Sequence, residues 1–317
     1  MARGLGLVVG LKGVDPAAYG GWNGSNGCWG CELDADNISR ILRQQGFDVH
    51  ALKTAKATSN NILRSLKSAS ENLGPEDIFV FYFSGHGGQQ PDLNGDEQDG
   101  KDETLVAFDR EIVDDELNAI WTRFRPGVRI VMLSDSCNSG TNYKYHGTID
   151  NPTPIIPIPN EKTDKAMSAQ MIHMGGCRDG FSSMGYESGG AFTMALCTAW
   201  SAGSFRGSYR DLYEKTVSRV GTAQYPQFNE YGRVTADFRK QQPFTIGRVD
   251  SVRVFCELSF DGVDLSQAQE IISEEAGPCL LDAFSNALAI RGGEASVSCS
   301  GDSSGHVSCT GSVTVHF

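Results

Sequence analysis

The sequence predicts an α/β fold built on a mostly parallel sheet, followed by a small C-terminal α+β appendage. Apolar runs of strand length alternate with amphipathic helical segments through residues 1–246. Two of those runs, ending near His86 and Cys137, break into small polar turns, as strands do at the ligand-binding edge of an open α/β sheet. From about Gly247 the texture changes to β-rich segments around one helical stretch.

The elements follow in order. Leu5 to Leu11 reads as a first strand, and Leu33 to Gln45 as a helix with Ile38, Ile41 and Leu42 on one face, stopped by Gly46. Phe47 to Leu52 is a second strand. Ser59 to Leu73 is a helix with Ile62, Leu63 and Leu66 on one face, ended by Gly74-Pro75. The run Asp77-Ile-Phe-Val-Phe-Tyr-Phe-Ser-Gly-His-Gly-Gly88 is a third strand with His86 at its tip. A short helix, Asp114 to Phe124, precedes the run Val128-Arg-Ile-Val-Met-Leu-Ser-Asp-Ser-Cys-Asn-Ser-Gly140. Residues 141–166 interrupt the pattern with a proline-rich segment that reads as an exposed linker. Ala169 to Gly176, helices at Phe192–Ala202 and Tyr209–Val220, and a last strand near Pro243–Ile246 complete the domain. The appendage, 247–317, reads as βαββ: Val252–Phe260, a helical stretch from Leu265 to about Ile290, then Glu294–Cys299 and His306–Phe317 as a hairpin. A symmetric hairpin centred on Ser304 would set Cys299 opposite Cys309.

Composition narrows the function classes. No window approaches 18 consecutive apolar residues, and the first ten residues are too short and glycine-broken for a signal peptide, so a cytoplasmic protein without a membrane partner is expected. Nine cysteines scattered without a framework fit free thiols in a reducing compartment. A formal charge of −12 disfavours nucleic acid; residues 92–116 alone hold eleven acids against Lys101 and Arg110. A monomer is favoured.

A free thiol is mostly protonated at neutral pH, so a nucleophilic Cys137 needs a base, and His86 can supply it. The thiolate would attack an acyl carbon, and the N–H groups of Gly87 and Cys137 are placed to stabilise the oxyanion. A buried Cys or a strand-end His alone is usually structural. Two such residues at converging strand tips call for a reason. Cys28-Trp-Gly-Cys31 also has the spacing of a redox motif, but a glycine-rich loop separates it from the first strand and no second pair suggests a metal. Asp92, Asn94, Asp96 and Glu103 fall at EF-hand loop positions, yet Glu97 stands where Gly is required. A solvated acidic loop is the plainer reading.

Ser84-Gly-His-Gly87, Asp102-Glu103 with Asp109, Asp114-Asp115-Glu116-Leu117, Asp135-Ser-Cys-Asn-Ser-Gly140 and Gly176-Cys-Arg-Asp-Gly-Phe-Ser-Ser183 stand in the order found in metacaspases and prokaryotic caspase-like peptidases. The chain resembles that family over most of residues 1–246, and the 51-residue separation of His86 and Cys137 suits it. The resemblance implies a caspase-like three-layer sandwich with a mostly parallel six-stranded sheet and a Cys/His endopeptidase acting on protein or peptide. It implies the dyad His86 and Cys137, and a pocket for the residue before the scissile bond made by Cys31, Asp34, Ser84 and Asp135. Two carboxylates in that pocket predict Arg or Lys there. Asp179 and Ser182 either line the groove by family position or cap a turn. No cofactor is required for the chemistry, while Ca²⁺ is an option through Asp102, Asp114 and Asp115, whose fourth partner position falls near Lys144. Lys144, Lys162 and Lys165 make the linker a candidate for self-cleavage. Asn138 and Leu33 depart from residues usual in metacaspases. Two other readings are a non-catalytic scaffold and an amidase or acyl transferase acting on small amides.

Overall fold

A computed structural model describes residues 2–91, 101–136, 167–177, 185–221, 224–247, 252–261, 293–301 and 306–315. The chain divides into two units, Met1–Gly247 and Arg248–Phe317.

The first unit runs β1 (Gly4–Gly10), α1 (Cys31–Gln44), β2 (Asp48–Lys53), α2 (Ser59–Asn72), β3 (Ile78–Ser84), β4 (Gly87–Pro91), β5 (Lys101–Val106), β6 (Glu111–Val113), α3 (Asp114–Trp121), β7 (Arg129–Asp135) and β8 (Gln170–Gly175). It continues with the short pair β9 (Gly185–Tyr186) and β10 (Gly189–Gly190), then α4 (Ala191–Trp200), α5 (Tyr209–Val220), β11 (Gln227–Gly232) and α6 (Ala236–Lys240). Six strands form one sheet in the order β11-β8-β7-β3-β1-β2, parallel except for β11.

The sequence of β3 explains the layering. All seven of its residues are buried, as a central strand covered on both faces requires. Alternate side chains enter opposite cores. Phe79, Phe81 and Phe83 pack with Leu63 and Leu66 of α2 and Trp121 of α3. Ile78, Val80 and Tyr82 pack with Ile38 and Leu42 of α1, Phe192 and Leu196 of α4, and Tyr209 of α5. Helices therefore cover both faces, giving three layers.

Helix limits follow local chemistry. Thr58 accepts the Asn61 N–H at the start of α2, and a Ser208–Asp211 capping box opens α5. Gly46, with φ of +85°, turns the chain out of α1 where the sequence places the stop.

Two expectations need correction. Pro243–Ile246 is not the last strand: Phe244 has a left-handed φ of +59°, donates its N–H to Tyr209 Oη at 2.8 Å, and buries its ring against Trp200 and Tyr209. The sixth strand is β11, whose half-exposed Gln-Phe-Asn-Glu-Tyr-Gly carries no apolar run because only one side of this edge is covered. The acidic stretch is also not a solvated loop over 101–116. It forms the small antiparallel sheet β4-β5-β6 and the start of α3, with Asp102, Glu111 and Glu116 buried. Arg110 grips Glu116 with both terminal nitrogens, at 2.7 and 2.9 Å, while Gln90 and Thr104 donate to Glu111.

The second unit contains β12 (Val252–Asp261), β13 (Gly293–Gly301) and β14 (His306–Val315), antiparallel in the order β12-β14-β13. Its register sets Cys299 opposite Cys309, and the expected helical stretch 265–290 lies outside the described residues. Among the described residues no helix is long and apolar enough to cross a membrane.

Candidate active site

Three parallel strands end at one level, because their register aligns Gly10 of β1 with Ser84 of β3 and Ser84 with Asp135 of β7. Small or polar residues terminate each run just where the next residues leave the sheet. Gly10 lets the head of α1 cross closely: a Cβ there would lie 2.4 Å from the Cys31 carbonyl oxygen and 2.7 Å from the Ala35 Cβ. This approach sets Asp34, one turn into α1, over the strand ends.

Asp34 and Asp135 are both buried. Asp34 Oδ2 accepts Ser84 Oγ–H at 3.0 Å and Gly190 N–H at 2.9 Å, while Oδ1 has no hydrogen-bond partner. Asp135 Oδ2 accepts the Thr193 N–H at 2.9 Å and the Thr193 hydroxyl at 2.7 Å. Since that hydroxyl donates to the carboxylate, Tyr82 Oη–H donates to Thr193 Oγ1 at 2.7 Å.

The glycine pair Gly189-Gly190 lies between the two carboxylates. A Cβ on Gly189 would stand 2.3 Å from Asp34 Oδ1, and one on Gly190 would stand 2.2 Å from Asp135 Oδ2. Burial, and then the charge of Asp135, push the Asp34 carboxyl up to about 7. Burial and the two aspartates hold the Tyr82 phenol far above its ordinary range.

His86 leaves β3 two residues after Ser84. Its Nε2 lies 2.9 Å from the carbonyl oxygen of Gly24, which can only accept, so Nε2 carries the proton and Nδ1 is the unprotonated nitrogen of the neutral ring. The Trp22 ring lies 5.0 Å from the imidazole, tilted by 55°. Gly24 has a φ of +64° and Val14 against it, which suits glycine alone. The segment holding it is tied down by Val14 N–H to Asn23 O, Asp15 N–H to Phe108 O and Tyr19 Oη–H to Ala107 O. Burial lowers the His86 pKa below the ordinary histidine value.

Val106 N–H donates to His86 O, making His86–Val106 a hydrogen-bonded pair of the β4–β5 ladder. The next pair, Gly87–Leu105, is then a non-hydrogen-bonded one, which leaves the Gly87 N–H outside that ladder.

The structure thus brings Asp34, Ser84 and Asp135 together, and puts Cys31 at the head of the helix that carries Asp34. Cys28 and Cys31 are both buried. Cys137, Asp179 and Ser182 lie outside the described residues. Among the described residues no group of three or more His, Cys, Asp or Glu could hold a metal ion. Asp102 is buried on β5, and Asp114 Oδ1 turns back to accept the Asp115 N–H at 3.1 Å. Sequence reasoning missed Gly24, Trp22, Gly189, Gly190 and Thr193. Only Gly-Gly before a helix gave any signal, because the other contacts span 58 to 64 residues of chain.

A family model described as a caspase domain matches residues 4–239. Metacaspase-1B of Aspergillus terreus is 42% identical over 127 residues, covering 35% of this chain and 34% of that protein. Metacaspase-1A of Aspergillus fumigatus is 40% identical over 127 residues, covering 35% and 31%. The match thus spans about a third of the length of these curated relatives. A solved Geobacter sulfurreducens protein is 34% identical with a TM-score of 0.65, covering 78% of this chain and 100% of that one.

Proposed function

The chain belongs to the caspase domain family, and from that premise we propose that it is a cysteine endopeptidase that cleaves after Arg or Lys, with Cys137 as nucleophile and His86 as acid and base. One observation carries the specificity: two buried carboxylates meet at the sheet edge, and one oxygen of Asp34 has no partner. A guanidinium or ammonium group supplies the missing donors, whereas a substrate Asp would bring a further carboxylate and no donor.

The register supports the dyad. Ser84 and Asp135 are paired, and His86 and Cys137 each lie two residues further along. In the proposed reaction the Cys137 thiol proton passes to Nδ1 of His86, which Gly24 and Trp22 hold in orientation. The thiolate adds to the scissile carbonyl carbon, and the oxyanion receives the N–H groups of Gly87 and Cys137. His86 then gives the proton to the leaving amine, and water attacks the thioester with His86 as base. Asp179 and Ser182 belong to this proposal as groove residues. Self-cleavage at Lys144, Lys162 or Lys165 follows from the same specificity. No step is assigned to Ca²⁺.

The test is hydrolysis of fluorogenic peptides ending in Arg, Lys, Gln or Asp by the wild type and by Cys137→Ala, each with Ca²⁺ and with a chelator. Cys137-dependent cleavage after Arg and Lys alone supports the reading. Cleavage after Asp, or activity surviving in Cys137→Ala, overturns it. The calcium arm decides whether the acidic segment regulates activity, and intact mass reports cuts within 141–166.

A further inference from the structure

Among the described residues the donors around Asp34 supply hydrogen bonds but no positive charge. Its Oδ2 is served by a hydroxyl and an amide, and its Oδ1 by nothing, although both oxygens are shielded from solvent. Gly189 backs onto Oδ1 so closely that a Cβ there would clash with it. Among the described residues the titratable groups around it do not neutralise it. Asp135 on β7 adds like charge, and Tyr82 on β3 and the Cys197 thiol on α4 are both driven upward in pKa by burial first and then by Asp34 itself, so they stay neutral. Cys31 on α1 is a free thiol. Arg40, also on α1, bears on the Cys197 thiol.

Two buried carboxylates that share Gly190 as a neighbour cannot both ionise cheaply. A proton is the smallest cation that relieves them, and a basic side chain of the substrate is the next. Asp34 is the better proton holder, since Asp135 Oδ2 already takes two donors from Thr193.

We propose that the empty pocket keeps a proton on Asp34 and releases it when an Arg or Lys side chain enters, so that substrate binding exchanges a proton for a cation. This rests on the reading of the pocket as the site for the basic residue. The exchange balances: the Asp34 carboxyl gives its O–H proton to solvent, and the carboxylate left behind accepts N–H groups from the incoming guanidinium or ammonium. The position of the Asp34 carboxyl near 7 sets the window. Affinity for a basic side chain is full above that value and falls by about tenfold per pH unit below it.

The experiment is calorimetric titration of the full-length Cys137→Ala variant with a short peptide ending in Arg amide, in two buffers of different protonation enthalpy, at pH 6 and pH 8. The exchange predicts about 0.9 proton released at pH 6 and about 0.1 at pH 8. In the wild type, the ratio of kcat/KM for Arg over Gln peptides falls as the pH drops from 8 to 6, with the dyad's own titration cancelling in the ratio. Asp34→Asn abolishes both effects. Binding of the Arg peptide without proton release at pH 6 overturns the exchange and leaves the basic pocket standing. No Arg binding at either pH, in a protein whose wild type cleaves after other residues, overturns the pocket reading and the exchange with it.

Discussion

Replacing Gly190 with alanine isolates what the glycine wall does. The backbone there, φ −72° and ψ 145°, accepts alanine without strain, so the whole effect comes from the new methyl group. That methyl would stand 2.2 Å from Asp135 Oδ2 and 2.7 Å from its Cγ. Carbon and oxygen atoms in contact prefer about 3.5 Å, so the carboxylate must retreat by roughly 1 Å. Retreat pulls it from the Thr193 N–H and hydroxyl, now at 2.9 and 2.7 Å. Each hydrogen bond to a charged group is worth about 1.5–3 kcal/mol, so the local cost is roughly 3–6 kcal/mol if both break. Urea unfolding should show part of this as lower stability. The remainder should appear as misplaced Asp135, with kcat/KM for Arg peptides down about 100-fold, equivalent to ~3 kcal/mol. Gly74→Ala is the control, since a Cβ there meets nothing within 4 Å, and it should change stability by under about 0.5 kcal/mol. A folded Gly190→Ala protein with unaltered stability and a kcat/KM for Arg peptides within about threefold of wild type would refute the reasoning.

Three other outcomes are expected. Gly24→Ala places a side chain at φ +64° beside Val14, about 1–2 kcal/mol of strain that shifts the carbonyl holding His86; kcat should fall more than KM rises, and the pH profile of Cys137 alkylation should move while far-UV circular dichroism does not. Arg110→Met leaves Glu116, with its side chain 0% exposed, as a buried carboxylate without its bidentate partner, and should cost about 3–5 kcal/mol in chemical denaturation. His173 is buried beside Ser134, and burial lowers its pKa to about 4. The unfolded chain binds a proton there from about pH 6.5 downward and the folded one does not, so this group's contribution is intact above pH 6.5 and is lost as the pH falls toward 4. The wild type should lose about 3 kcal/mol relative to His173→Gln across that window, measured by urea unfolding at each pH. Parallel curves would show that His173 is already charged in the fold.

The order of β1, β2, β3, β7 and β8 and of helices α1 to α5 was legible because each of these elements has a strong local signal. The six apolar residues of β3 admit no other role than a central strand, and the helix faces of Ile38, Ile41 and Leu42, or Ile62, Leu63 and Leu66, repeat at helical spacing. The grouping of Asp34, Ser84 and Asp135 at one sheet edge, with His86 two residues beyond Ser84, was legible through motifs and their order. What local signal lacks, the sequence could not show. Edge strand β11 is half-exposed and carries no hydrophobic run, and the left-handed Phe244 is held by Tyr209, 35 residues away in sequence. The acids of 101–116 looked like a solvated cluster until Arg110, Thr104 and Gln90 were placed around Glu111 and Glu116. Sequence by itself determined which groups are present and on which strand ends they stand. Only the tertiary structure decided that Asp34 and Asp135 share one glycine, that Gly24 orients His86, and that one carboxylate oxygen is left without a donor. The physical reason is that hydrogen bonding, burial and like-charge repulsion act over a few ångströms of space, and in this pocket those few ångströms join residues as far as 156 positions apart in the chain.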